Sequence, residues 1–172
     1  MYKKEKIHFL ITGGTIDSFY DGTKDTVVPN EKSSIPELIK SLKPFDNFKF
    51  TQVCMKDSRN LNNDDRKKLL KEIEKSKYDK IIITHGTYTM PDTAKFLEVN
   101  LKKKNKTIIL TGSMTPLMGF SPSDAPFNLG YSMAKIKELP FGVYICMNAR
   151  IFTPVETIKA ISEGRFYSIF EK

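Results

Sequence analysis

Five short apolar runs, spaced along the chain and separated by amphipathic stretches, restrict what this sequence can become. They are KIHFLIT (6–12), FKFTQVCM (48–55), DKIIIT (79–84), KTIILTG (106–112) and FGVYICMN (141–148). Most are nearly continuous in Ile, Leu, Val and Phe instead of alternating with polar residues, so they read as strands buried on both faces. Between them, residues 33–42, 62–76, 91–103 and 125–139 carry apolar residues at helical spacing. The first has a serine cap and Pro36 in its opening turn; the second has Asp64 and Asp65 where they favour the helix dipole. Strand–helix alternation of this kind predicts a three-layer α/β domain, an open parallel sheet of Rossmann-like or flavodoxin-like type. At 172 residues the chain has the length of one domain.

Ligands of such sheets bind beyond the carboxyl ends of the strands. The turns to inspect are therefore TGGTIDS (12–18), KDSRNL (56–61), THGTYTM (84–90), TGSMTP (111–116) and MNARIF (147–152). The diglycine of the first turn allows a sharp bend and close backbone approach, and Thr12 and Thr15 flank it. It fits a tight structural turn, a phosphate nest or a reactive threonine. It is neither a dinucleotide fingerprint nor a Walker loop, because the G-x-G-x-x-G and G-K-[ST] spacings are missing. The G-x-S-x-G elbow of α/β-hydrolases is missing too. His85, at a strand end, reads more simply as structural than as a base, and His8 lies inside a strand. No Cys/His cluster has metal-ligand spacing, so neither metal nor cofactor is expected. Two hydroxyl-bearing turns and a lysine can make a threonine nucleophile site, with glycine-turn N–H groups holding an oxyanion.

The net charge of +8 raises nucleic acid as a partner, but 24 of the 28 basic residues are lysine. Specific nucleic-acid contacts favour the arginine fork, and stretches such as RKKLLKEIEKSK (66–77) read as solvated helix faces. No nucleic-acid partner is expected. No apolar run approaches the roughly 20 residues that span a bilayer. The start, MYKKEKIHFLITGGTID, runs straight into a glycine turn and reads as a first strand, not a signal peptide. Cys54 and Cys146 read as free thiols of a reducing compartment, which points to the cytoplasm.

TGGTI (12–16), HGTYTM (85–90), TGSM (111–114), SDAPFNL (123–129) and GVYICMN (142–148) resemble, in order and spacing, the L-asparaginases of bacterial type. The resemblance covers the amino-terminal domain of the usual two-domain enzyme. It implies that residues 1–172 are a single such domain, without the smaller second one. The implied reaction is hydrolysis of the side-chain amide of asparagine, or of a related small amide. Thr15 matches the primary nucleophile, Thr87 the second threonine, and Ser58 the serine that grips the substrate α-carboxylate. Lys159, reached by counting from the MN pair, falls where the family places the lysine that activates the second threonine. Gly14, Gly86 and Tyr88 complete the implied substrate contacts.

Tyr88 departs from the family, which has an aspartate there to bind the substrate amine and to partner the lysine. A tyrosine supplies no counter-charge, so burial should push the Lys159 pKa down. The departure leaves two functions open, an amidohydrolase with altered substrate and a binding protein that has lost turnover. Tyr20 in DSFYDG does not have the spacing of the family's loop tyrosine. Loss of a covering domain exposes apolar surface, and a homodimer or homotetramer is expected from it.

Overall fold

The computed structural model describes residues 4–170. The chain opens with β1 (Lys6–Gly13), a short 3-10 turn (Thr15–Asp17), and a hairpin of β2 (Ser18–Asp21) and β3 (Thr26–Pro29). Then come α1 (Ile35–Ser41), β4 (Asn47–Lys56), α2 (Asn63–Lys75), β5 (Lys80–Thr84), α3 (Met90–Asn100), β6 (Thr107–Thr111), α4 (Ala125–Lys135) and β7 (Gly142–Met147). The chain finishes with β8 (Arg150–Phe152) and a hairpin of β9 (Thr157–Ala160) and β10 (Arg165–Ser168).

Six strands form one sheet in the order β4-β1-β5-β6-β7-β8. The five expected strands are all parallel, and their order is that of a flavodoxin-like sheet. The connection from β1 leads to β4 on one side, and the chain then returns to lay β5 on the other. Strand order therefore reverses between β1 and β5, which is where sheets of this class open a crevice for a ligand. One feature departs from the expected all-parallel sheet. β8 pairs antiparallel with β7, after a two-residue turn at Asn148 and Ala149, both with positive φ (54° and 59°). That backbone is the type I′ turn that joins antiparallel neighbours.

The apolar runs are buried on both faces. Ile81, Ile83, Ile108, Leu110 and Ile145 face one way, against Leu69 and Ile73 of α2 and Met90, Ala94 and Leu97 of α3. Ile7, Phe9, Ile11, Ile82, Ile109 and Cys146 face the other way, against Ile35 and Ile39 of α1 and Ala125 and Leu129 of α4. Each fully buried Ile or Leu contributes roughly 1.5–3 kcal/mol. The fold is thus three-layered, as the sequence implied.

The helix starts differ in detail. α2 begins with a capping box: Asn62 accepts from the N–H of Asp65, and the Asp65 carboxylate accepts from the N–H of Asn62. Ser34 occupies the N-cap position of α1, but its hydroxyl does not cap the helix as the sequence suggested. It donates to Asp17 at 2.9 Å, and Ser33 accepts the Ile35 N–H instead.

Candidate active site

The ends of β1, β4 and β5 meet at the reversal point. The N–H of Gly14 donates to the Lys56 carbonyl at 2.8 Å, tying the diglycine turn to the end of β4. Gly14 has φ +83° and ψ −178°, a conformation reserved for glycine. A Cβ there would also collide with the Gly86 backbone, and a Cβ on Gly86 would lie 2.6 Å from the Cβ of Ser58. Both glycines are therefore required by close approach of three turns, and that approach brings Thr15, Ser58 and Thr87 to one place.

The two threonines of the first turn separate cleanly. Thr12 is buried and donates to the Thr84 carbonyl at 2.9 Å, tying β1 to β5. Thr15 opens the 3-10 turn and lines a cavity of about 200 Å³. Its turn is held from behind by the fully buried Asp17. The Asp17 Oδ1 accepts from the Ser34 N–H at 2.8 Å, the Ser34 hydroxyl at 2.9 Å and the Asn30 amide at 3.3 Å.

The same cavity is lined by Asp57, Ser58, Arg59, Gly86, Thr87, Tyr88 and Lys159. Every residue expected at the site from sequence is thus gathered here, except that Gly14 acts from below through its packing on Gly86. Lys159 is brought by β9, opposite Phe166 of β10. Phe166 is buried in the core beneath, and its N–H donates to the Asn148 side chain at 3.1 Å. The Asn148 N–H in turn reaches the Asn128 side chain at 3.2 Å, and the Asn128 amide donates to the Gly112 carbonyl at 3.0 Å. These asparagines, from the MN and SDAPFNL segments, register the carboxyl-terminal hairpin against the sheet.

Lys159 Nζ donates to Thr87 Oγ1 at 2.7 Å and lies 6.0 Å from the centre of the Tyr88 ring. Thr87 is buried, whereas Tyr88 is more than half exposed at the cavity rim. The Lys159 pKa lies below the ordinary lysine value. Loss of hydration is the largest cause and repulsion by Arg59 the next, with Asp57 pulling the other way. These surroundings favour the neutral amine, the form of a lysine that can accept a proton from a hydroxyl.

Asp57 and Arg59 were not singled out from sequence. Arg59 grips Asp57 in bidentate fashion, Nε to Oδ1 at 3.0 Å and an Nη to Oδ2 at 2.7 Å, and holds the Asp57 carboxyl below its usual range. The local signal was an Asp capping its own turn, since Asp57 Oδ1 also accepts the Arg59 N–H at 2.8 Å. Ser58 sits buried between them, and its carbonyl accepts from the Thr89 hydroxyl at 2.8 Å. His85 is fully buried and donates through Nδ1 to the Gly86 carbonyl at 2.8 Å. Burial pushes its pKa down to about 4, so it stands neutral beneath the turn. The carboxyl ends of β1, β4 and β5 thus bring Thr15, Ser58 and Thr87, and the β9–β10 hairpin brings Lys159, around one small space, an arrangement that suits acyl transfer to a threonine. Among the described residues no group of His, Cys, Asp and Glu could hold a metal ion.

Comparison with known proteins bears on the family and the fold. The family model described as "Asparaginase, N-terminal" matches residues 6–167. L-asparaginase 2 of Escherichia coli (strain K12) is 31% identical over 92% of this chain and 50% of its own length. L-asparaginase 2 of Bacillus subtilis (strain 168) is 32% identical over 84% of this chain and 41% of its own. The probable cytoplasmic L-asparaginase from Campylobacter jejuni superposes with a TM-score of 0.82 at 31% identity, covering 96% of this chain and 53% of the other. The thermostable L-asparaginase from Thermococcus kodakarensis gives 0.84 at 26% identity, covering 97% and 52%. The chain spans about half the length of the curated relatives it matches.

Proposed function

This chain belongs to the asparaginase family, through the amino-terminal domain, and from that membership we propose that it hydrolyses the side-chain amide of L-asparagine or a related small amide. The observation that carries the reading is the 2.7 Å contact of Lys159 Nζ with Thr87 Oγ1 in a cavity that Thr15 and Ser58 also line. In the proposed reaction the Thr15 hydroxyl oxygen bonds to the amide carbon and its proton passes to the departing nitrogen, which leaves as ammonia. Water then cleaves the threonine ester and restores the hydroxyl. Thr87, with neutral Lys159 as acceptor, draws the proton from that water, and backbone N–H groups of the glycine turns, other than that of Gly14, would hold the developing oxyanion. Ser58 holds a substrate carboxylate.

The test is ammonia release across L-asparagine, L-glutamine, their D-forms and small amides lacking an α-amino group. Release from at least one substrate, lost in Thr15→Ala with circular dichroism unchanged, is the expected result. Substantial activity in Thr15→Ala names the wrong nucleophile. No release from any amide favours the second reading, a binding protein that has lost turnover. The observation on its side is Tyr88, whose ring stands over Lys159 at the cavity rim.

The proposal extends to assembly and compartment. We read residues 1–172 as one domain of amino-terminal type. Val155, Ile158, Ile161, Ile169 and Phe170 stand exposed on and beside the hairpin that carries Lys159. Exposed apolar side chains so close to a site support a homodimer or homotetramer, and light scattering that gives a monomer at micromolar concentration overturns it. The unpaired thiols of Cys54 and Cys146 suit a reducing compartment such as the cytoplasm. Among the described residues no helix is long and apolar enough to cross a membrane.

A further inference from the structure

The charges around the cavity bear on which kind of small amide would fit it. Among the described residues that line it, Asp57 supplies the only carboxylate, and Arg59 occupies both oxygens, with its Nε and N–H on Oδ1 and an Nη on Oδ2. Two cations line the same space, Arg59 and Lys159. Tyr88 offers an uncharged ring and hydroxyl. Among the described lining residues, an ammonium entering this cavity therefore finds no carboxylate without a cation already on it.

Protonated Lys159 is an ammonium in this position and shows how the cavity treats one. It loses hydration, and repulsion by Arg59 outweighs attraction by Asp57, so its pKa falls. An ammonium on a bound ligand meets the same desolvation and the same guanidinium, with Lys159 added when protonated. A carboxylate meets the same desolvation, but the guanidinium attracts it instead of repelling it. The Ser58 hydroxyl lines the space as a donor, and Arg59, joined by Lys159 when protonated, favours the carboxylate. The volume, about 200 Å³, lies below the roughly 300 Å³ at which pockets for drug-sized ligands begin, so the ligand is a small one.

We propose that the site takes the ω-amide of a small dicarboxylic acid whose α-carbon bears no ammonium, in preference to a zwitterionic amino acid. This deepens the amidohydrolase reading and rests on it. The reaction is the same hydrolysis: the amide C–N bond breaks, water supplies the oxygen, and a dicarboxylate and ammonia are released.

Succinamate, L-asparagine and N-acetyl-L-asparagine are the probes, with ammonia release as the readout. The value of kcat/KM for succinamate should exceed that for L-asparagine by at least about tenfold; a smaller ratio, or a preference for asparagine, overturns the proposal and leaves the amidohydrolase reading standing. N-acetyl-L-asparagine should be slower than succinamate, and a faster rate assigns the site to acylated amino acids instead. Arg59→Gln removes the guanidinium and frees the Asp57 carboxylate, so the ratio should fall in that variant; an unchanged ratio overturns the charge argument. If no amide is hydrolysed, the reading beneath the proposal fails, but calorimetry still tests the preference. Succinate binding at least about tenfold tighter than L-aspartate supports it. A smaller difference, tighter L-aspartate, or no binding of either at millimolar concentration overturns it.

Discussion

Two lysines near the same edge of the sheet have opposite surroundings. Lys56, at the end of β4, gives both Asp65 oxygens a hydrogen bond, at 2.9 and 2.7 Å, and that carboxylate raises its pKa. Asp65 is buried and also completes the capping box of α2, so the pair is built into the start of a helix. Lys159, on the carboxyl-terminal hairpin, has the Thr87 hydroxyl as its partner at 2.7 Å and is pushed the other way by lost hydration and by Arg59. The surroundings of one favour its charged form, and its ion pair fastens the fold; the surroundings of the other favour its neutral form. In the proposed reaction only the second serves as the base. What separates them is whether a carboxylate is placed on the nitrogen or reserved for another cation, as Asp57 is for Arg59.

The largest expected effect follows from that division. Lys159→Met should lower kcat for ammonia release by about 10² to 10⁴, the usual contribution of a positioned base. Thr87→Ala should cost a similar factor, and the double variant little more, because groups acting as a unit fail together. Lys56→Met should leave kcat of the folded protein within about threefold. Equal losses at the two lysines would erase the distinction between them.

Stability should respond in the opposite pattern, with a smaller effect. Asp65→Ala leaves the Asn62 N–H without its acceptor and removes the Lys56 partner. Urea denaturation should show a loss of about 1–2 kcal/mol, while activity per folded molecule persists. Lys159→Met removes a poorly hydrated charge and should leave the midpoint unchanged or higher. A strong destabilisation by Lys159→Met would make this lysine a structural element like Lys56.

The contrast also explains what could be read in the sequence. The sheet was legible because runs such as KIIIT place apolar side chains on both faces, and burial on both faces leaves helix-covered parallel strands as the solution. The turns carrying Thr15 and Thr87 were legible because strand ends locate them. Lys159 was reached only by counting, since TIKA has no long apolar run and its hairpin is registered by Asn148 and Phe166 from distant segments. Asp57 and Arg59 were passed over because a charge at a cavity rim and a charge in open solvent look alike in one dimension. The β2–β3 hairpin had a usable signal, the DG at 21–22 between FY and VV, which strand-to-helix reading skipped. The antiparallel β8 had little, because Asn148–Ala149 makes a positive-φ turn without glycine.

The smallest effect should come from Tyr88, and it tests whether Lys159 can be converted toward the state of Lys56. The Tyr88 ring centre lies 6.0 Å from Lys159 Nζ, near the outer limit of a cation–π contact. Tyr88→Phe keeps the ring and should change kcat by less than about threefold. Tyr88→Asp puts a carboxylate beside the nitrogen instead, which favours the protonated form and raises the Lys159 pKa. A base must be neutral to act, so kcat climbs as pH rises through the Lys159 pKa, and a higher pKa moves that climb to higher pH. At neutral pH kcat should therefore fall, by less than about tenfold because Arg59 still opposes the proton. KM should move independently. A carboxylate at this rim receives a substrate ammonium, so L-asparagine should bind more tightly as its turnover slows, and calorimetry with L-aspartate should show the same gain. A climb that stays at the same pH in Tyr88→Asp would mean that position 88 does not reach the titrating base. Tighter L-aspartate binding without that shift would place the substrate amine beside residue 88 but assign the proton transfer to a group other than Lys159.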